Sequence, residues 1–579
     1  MTTPQPTQPI RRPYAALPLL WATVVLVLTL TPSDEMPRTP EWELLSFDTA
    51  AHAGVFFVFA ALSWFSLHRQ RRWPRLARHA GLAVLVGSFL FGALIEVLQM
   101  TMKLGRHGEW SDLISDSIGA ALAVGLAAVW AKRLGYKPQP LVIAVGLLLV
   151  SSAIQAQDIP RARHTIEALA SDKMHGRGYV QQGEHIAAGY LRKRLKELKL
   201  EPLATNYTQP FTLDVNTFPG QMRLSFTHSS GSWKSYTNEL RPGRDFIAAP
   251  ESRAASGVGT AILLDTLCFT SPNAQRAVQQ QARQLLTSRA GYAFLVLTAH
   301  NEQRLTSLPV SLRQTLDSLS NRILLQPKLT ASLAASQGPG IRIEALNKPA
   351  IWYPQNEILA LQLDAQLLHN YQTQNLAAVV RGSVQPDSFL VVSAHYDHLG
   401  MMGKDVYFPG ANDNASGVAM VLELAAHYAK PENRPACSVV FLLFGAEEAG
   451  LVGSQYFVAH PLVPLKSIKF LINLDLLGTG EQGATIVNGR VFEAPYRRLV
   501  ALNDARHYLP VLGARGRAAN SDHFPFSEAG VPAFFLYTRG GSAAYHDVND
   551  KPLALSLAGF AGAFGLVRDF LNEEGAGPK

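Results

Sequence analysis

The stretch that decides the reading is Cys437–Ser454, CSVVFLLFGAEEAGLVGS. Its apolar run from Val439 to Phe444 has strand length and no polar break, the pattern of a strand buried on both faces. Gly445 and Ala446 follow, and then two carboxylates stand side by side, Glu447 and Glu448. Two like charges at the exit of a buried strand cost energy unless something positive sits between them. The question is what else the chain could bring to that point.

From Asn375 onward, apolar runs of strand length alternate with helical segments, which predicts a wound α/β sheet, and in such sheets chemistry gathers beyond the carboxyl ends of the strands. SFLVVSAHYDH reaches His395. The turn-rich FPGANDNASG carries Asp413 into the helical GVAMVLELAAHYA. SVVFLLFGAEE ends in Glu447 and Glu448, IKFLINLD in Asp475, and AFFLYTRGGSAAYHD leads to His546. Each element therefore ends in a side chain of metal-binding type. Cys268 and Cys437 are the chain's two cysteines and are far apart, so they build neither a disulfide framework nor a cysteine-rich zinc site. Any metal must be held by His, Asp and Glu. Two histidines and three carboxylates are too few for two separate sites, but they suffice if one carboxylate bridges two ions about 3.5–4 Å apart. Asp413 is the natural bridge, with Glu448 and His546 on one ion and His395 and Asp475 on the other. Glu447 is then left free as a general base.

The first 156 residues read differently. Five apolar segments, approximately 14–30, 50–67, 80–98, 113–131 and 141–156, approach the ~20 residues that cross a bilayer. Arg and Lys cluster in the loops before the first, between the second and third, and between the fourth and fifth. Acidic residues fill the loop after the first. The positive-inside rule then predicts a cytoplasmic N-terminus and an extracytoplasmic chain beyond Gln157. Polar residues gather at the outward ends: Asp48, His52, Glu96, Gln99, Arg106, Asp112 and Asp116. The pairs Asp48/His52 and Asp112/Asp116 are each spaced to share a helix face. The formal charge of +8 lies in such loops and not beside nucleic-acid motifs, so nucleic acid is not expected as a partner.

Two resemblances sharpen these expectations. FDTAAHAGVFFVFA, FGALIEVLQ and RHGEWSDLISDSIGA resemble the VanZ-like membrane family, with Asp116 where that family usually has Asn. AHYDH, GANDNASG, FGAEEAGLVGS, NLD, NSDHFPF and YHDVND resemble, in order, the M28 family of co-catalytic zinc peptidases. The second resemblance implies two Zn²⁺ ions on His395, Asp413, Glu448, Asp475 and His546, with Glu447 as base. It further implies Asp397 orienting the His395 imidazole, Tyr545 as a candidate oxyanion donor, orienting roles for Asp522 and Asp550, and peptide or protein substrates cut by an aminopeptidase. The expected organisation is a VanZ-like transmembrane domain (1–135) and a fifth transmembrane helix or linker (136–157). A peptidase domain (158–204 and 370–579) with a mixed, mostly parallel sheet follows, interrupted by a small protease-associated-like insert (205–369). The whole is expected to sit in the lipid bilayer of the cell membrane with the peptidase outside. Two rivals on the same fold stay open: a glutaminyl-cyclase-like acyltransferase, normally with a single zinc, and a non-catalytic receptor. His398, His427, His460, His507 and His523 are read as ordinary polar or supporting residues.

Overall fold

The computed structural model describes residues 15–30, 47–69, 73, 76–77, 79–102, 110–133, 159–230, 234–288, 291–348 and 357–576. The chain forms two compact units, Met1–Gln157 and Asp158–Lys579.

The first unit contains four helices among the described residues: α1 (Ala16–Leu30), α2 (Phe47–Arg69), α3 (Ala80–Met102) and α4 (Trp110–Arg133). Here the expectation of a domain with about five transmembrane helices is corrected: among the described residues, no helix is long and apolar enough to cross a membrane. α1 has 15 residues, about 22 Å at 1.5 Å per residue, against a hydrocarbon core of about 30 Å. Each of the longer helices carries acidic residues within its bounds: Asp48 on α2, Glu96 on α3, Asp112 and Asp116 on α4. The expected fifth segment, 141–156, lies outside the described residues. α2 and α4 approach closely, because Gly119 lies directly against the Ala53 backbone where any Cβ would collide. Between these two helices, His52 Nδ1 meets Asp116 Oδ1 at 3.1 Å. The side chains of Asp48, Glu96, Gln99, Arg106 and Asp112 lie outside those described.

The second unit is built on two sheets. The larger has nine strands among the described residues. Four neighbours at its centre run parallel, in the spatial order 437–444, 385–395, 468–474, 533–538, with antiparallel strands outside them. The reason is visible in the residues: Cys437–Phe444 is buried along its whole length, as a central strand covered on both faces must be. One face is covered by helices Gly417–Tyr428 and Phe560–Ala576, which contribute to the same core as Leu390, Val392, Phe441, Leu443, Phe470 and Phe534. The other face packs Phe444, Phe457 and Phe526 together. The parallel registers His395↔Phe444 and Ser393↔Asn473 bring the carboxyl ends of three strands level.

The second sheet has eight strands, with 292–298 parallel to 255–264 and to 321–326. It has its own apolar core around Phe226, Phe294, Ile323 and Leu359. That core also takes in Leu399, Met402 and Phe408, which follow His395 in the chain, and Val548, which follows His546.

Candidate metal centre

The three level strand ends supply His395, the turn Gly445–Glu448, and Asp475. The loop 408–416 brings in Asp413, and the loop 539–550 brings in His546. Ala446 adopts φ +57°, a left-handed turn that ends the strand and releases the two glutamates. Asp413 lies between two imidazoles: Oδ1 is 3.3 Å from His395 Nε2 and Oδ2 is 3.2 Å from His546 Nε2. Asp475 Oδ2 is 3.5 Å from the same His395 nitrogen, and Glu448 Oε2 is 3.1 Å from the same His546 nitrogen. All five residues predicted from the sequence as ligands therefore converge, in two halves that share one aspartate. Glu447 stands with His395 and Asp475 on one side. On the other, His398, read from the sequence as an ordinary polar or supporting residue, joins Asp413 and Glu448, its Nδ1 2.6 Å from Glu448 Oε1.

The supporting contacts are specific. Asp397, just past its strand, accepts from the Glu447 amide at 3.0 Å and the Glu448 amide at 3.3 Å. Its main-chain oxygen takes the His395 Nδ1 proton at 3.2 Å, which orients the ring so that Nε2 faces Asp413. Asp550 accepts from the amides of Asn412 and Asp413 at 2.9 and 3.0 Å. Ser521 donates to Asp475 Oδ2 at 3.1 Å. Asp522 and His523 are fully buried beside these groups. Tyr545 is about half exposed, its ring stacked on His546 with centroids 3.9 Å apart.

Sequence reasoning missed Arg177. Its guanidinium is wholly buried and donates to five main-chain oxygens: Tyr396 (2.8 Å), Leu169 (2.8 Å), Pro409 (2.7 Å), Gly410 (2.8 Å) and Asp413 (3.1 Å). All five of its N–H donors are used. The surrounding MHGRGY carries no spacing signal. A basic residue between glycines was the only hint.

Electrostatics separates the two neighbouring glutamates. Burial drives the Glu447 carboxyl well above the ordinary glutamate range, and Asp522 and Glu448 add to this against the opposing pull of His395. Burial would also raise Glu448, but His546 and the His398 hydrogen bond overcome it and hold the group at about 2. Burial pushes Asp397 up to about 7. His546 is lifted to about 11: burial opposes this, and Glu448 and Asp413 outweigh it. These directions describe a pocket with more buried carboxylate than its imidazoles neutralise. Asp475 Oδ1 is buried without a hydrogen-bond partner. Nitrogen and oxygen donors, an aspartate shared by two halves and an orphaned carboxylate oxygen fit a pair of divalent cations of the zinc type.

Comparison with known proteins finds two family matches. The profile of peptidase family M28 matches residues 375–570, and that of VanZ/LLP1 matches residues 12–131. Aminopeptidase YwaD of Bacillus subtilis is 31% identical over 188 residues, 30% of this chain and 38% of that protein. The vacuolar membrane protease of Candida glabrata is 25% identical over 208 residues, 35% of this chain and 21% of that protein. The matched region thus spans less than two fifths of either relative's length. A solved structure of a peptidase M28 precursor from Shewanella amazonensis shares the fold. It has a TM-score of 0.51 and 16% identity, over 72% of this chain and 92% of that one. The chain therefore carries a peptidase family M28 domain at residues 375–570 and a VanZ-like domain at residues 12–131.

Proposed function

We propose that the protein is a membrane-associated zinc metallopeptidase, most simply an aminopeptidase, that works with two ions in the pocket between His395 and His546. One observation carries the reading: Asp413 presents one carboxylate oxygen to each imidazole, 3.3 and 3.2 Å away. The names of the relatives supply zinc and the aminopeptidase reaction class, and the VanZ-like segment with the vacuolar membrane protease likeness supports association with a membrane.

His395 and Asp475 would hold one ion, His546 and Glu448 the other, with Asp413 shared. When bound, the pair supplies an acidified water and a Lewis acid for the scissile carbonyl. The chain's own residues do the rest. Glu447 is the one carboxylate of the adjacent pair free of a direct imidazole contact, which leaves it open to take a proton and later return it. It accepts the proton of the attacking water and delivers it to the leaving amine. Asp397 fixes Glu447 through its main-chain amide, so the carboxylate is aimed by the turn and not by its own rotamer alone. The Tyr545 phenol ring stacks on His546 and is about half exposed, and in this reading it donates to the developing oxyanion.

The test is Glu447→Gln in the purified protein, with aminoacyl anilides and N-blocked peptides as substrates. Turnover of free-amine substrates falls about 10²–10⁴-fold while elemental analysis still finds two zinc ions per chain. Near-normal turnover in that variant, or a protein that binds no zinc, sinks the reading.

A further inference from the structure

The loop that carries His546 is rich in small residues, TRGGSAAYHD, and His546 itself sits at φ +53°. Such a segment has little intrinsic preference for one shape, so its position must be imposed from outside. Among the described residues, the hydrogen bonds that tie main-chain atoms of 540–546 to the rest of the fold all reach one place, the segment Lys328–Ala331 that follows strand 321–326 of the eight-stranded sheet. Lys328 Nζ donates to Ala543 O at 2.7 Å and to Tyr545 O at 3.4 Å. The Ala331 amide donates to His546 O at 3.1 Å. The His546 imidazole donates its Nδ1 proton to Ala331 O at 2.8 Å. This last bond fixes the ring plane and the tautomer, leaving Nε2 free to face Asp413 and Glu448.

The connection is not a single strap. Leu329 and Ala331 are buried in the core of the eight-stranded sheet, and Val548, two residues past His546, packs onto that core. On the other side of the pocket, the loop after His395 is held the same way. Leu399, Met402 and Phe408 enter the same core, and the amides of Gly403 and Lys404 donate to Phe218 O and Gly220 O at 2.8 and 2.9 Å.

We propose that the eight-stranded lobe is a working part of the metal centre, with Lys328 a positioning residue that latches the Tyr545–His546 loop through its main-chain oxygens. The lobe's position sets how firmly the Glu448/His546 half holds its ion, and a shift of the lobe loosens that half first. The proposal rests on the metallopeptidase reading for its consequence, but the latch is a property of the metal-free chain.

The test uses the full chain with Lys328→Met, which keeps the length of the side chain and removes its donors, and Lys328→Arg, which restores them. Lys328 is exposed, so neither change disturbs a core. In metal-free protein, amide hydrogen exchange across 540–546 speeds about tenfold in Lys328→Met and returns toward the original rate in Lys328→Arg, with exchange in 159–169 unchanged. After zinc loading, one of the two ions passes to a chromogenic chelator about tenfold faster in Lys328→Met, and the arginine variant slows it again. Equal exchange rates and equal zinc release in Lys328→Met and the unaltered protein overturn the latch. An unaltered protein that binds no zinc overturns the peptidase reading instead, while the exchange measurement still decides the latch.

Discussion

At the scale of single residues, the centre is organised by groups that never face substrate. Arg177 spends every donor on main-chain oxygens from three separate stretches, including that of Asp413. Lysine offers three donors on a flexible stem and cannot reproduce that planar fork. Arg177→Met leaves five buried carbonyls short of a donor and is expected to cost about 3 kcal/mol or more. Denaturant titration of the variant measures this, and zinc retention falls with it. Arg177→Lys recovers the charge and only part of the loss. This residue also marks the limit of the sequence. His395, Asp475 and the glutamate pair were legible because each closes an apolar run, where chemistry in a wound sheet belongs. Arg177, Lys328 and Ala331 act on backbone oxygens, and a backbone oxygen leaves no trace in residue type or spacing. His398 was legible only as a polar or supporting residue, because it lies beyond the strand end, on a loop whose path no periodicity predicts.

At the scale of elements, the helix Gly417–Tyr428 connects the Asp413 loop to the body of the protein, and its buried face follows from the unbroken run GVAMVLELAA. Near its end His427 sits half-buried, edge-on to Tyr428 and Phe564, with Asn433 donating to Nδ1 at 3.2 Å. Burial, helped by Arg568 and Lys430, depresses its proton affinity from 6.5 to about 4. Between those two values the unfolded chain binds more protons than the folded one, so stability falls as pH drops from about 6.5 toward 4 and is unaffected above. His427→Gln removes this dependence. Thermal unfolding of the two proteins at pH 7 and pH 5 should show the unaltered chain losing on the order of 1 kcal/mol more, a figure discounted for partial exposure. The helices of the first unit show where pattern reading failed. Counting apolar residues in windows admitted acidic ends and a 15-residue helix as spans. The one described polar pair, His52 with Asp116, joins two helices, whereas spacing along the chain reveals only pairs within one.

At the scale of the whole molecule, a peptidase family M28 domain and a VanZ-like domain share one chain, in two compact units. The proposed membrane association predicts that peptidase activity sediments with membranes on cell fractionation, and that a chain starting at Asp158 moves to the supernatant with its turnover on small anilides retained. Activity found wholly in the supernatant for the full chain removes that part of the proposal. Protease accessibility in intact cells reads which side the catalytic unit occupies. The alternation of strand and helix after Asn375 was legible because burial on both faces leaves a run of one kind of residue. The eight-stranded lobe was legible only as a small insert, since its strands carry no side chains at metal-binding spacing to mark their ends.

The entry of loop residues into the apolar core of the eight-stranded lobe has a consequence for engineering. A lobe lifted out at the ends of its own strands would leave Leu399, Met402, Phe408 and Val548 facing water and would arrive in a new host with holes where they had been. Exchange of this lobe between peptidases as a cassette therefore requires the donor's own two loops, those that follow His395 and His546, to travel with it.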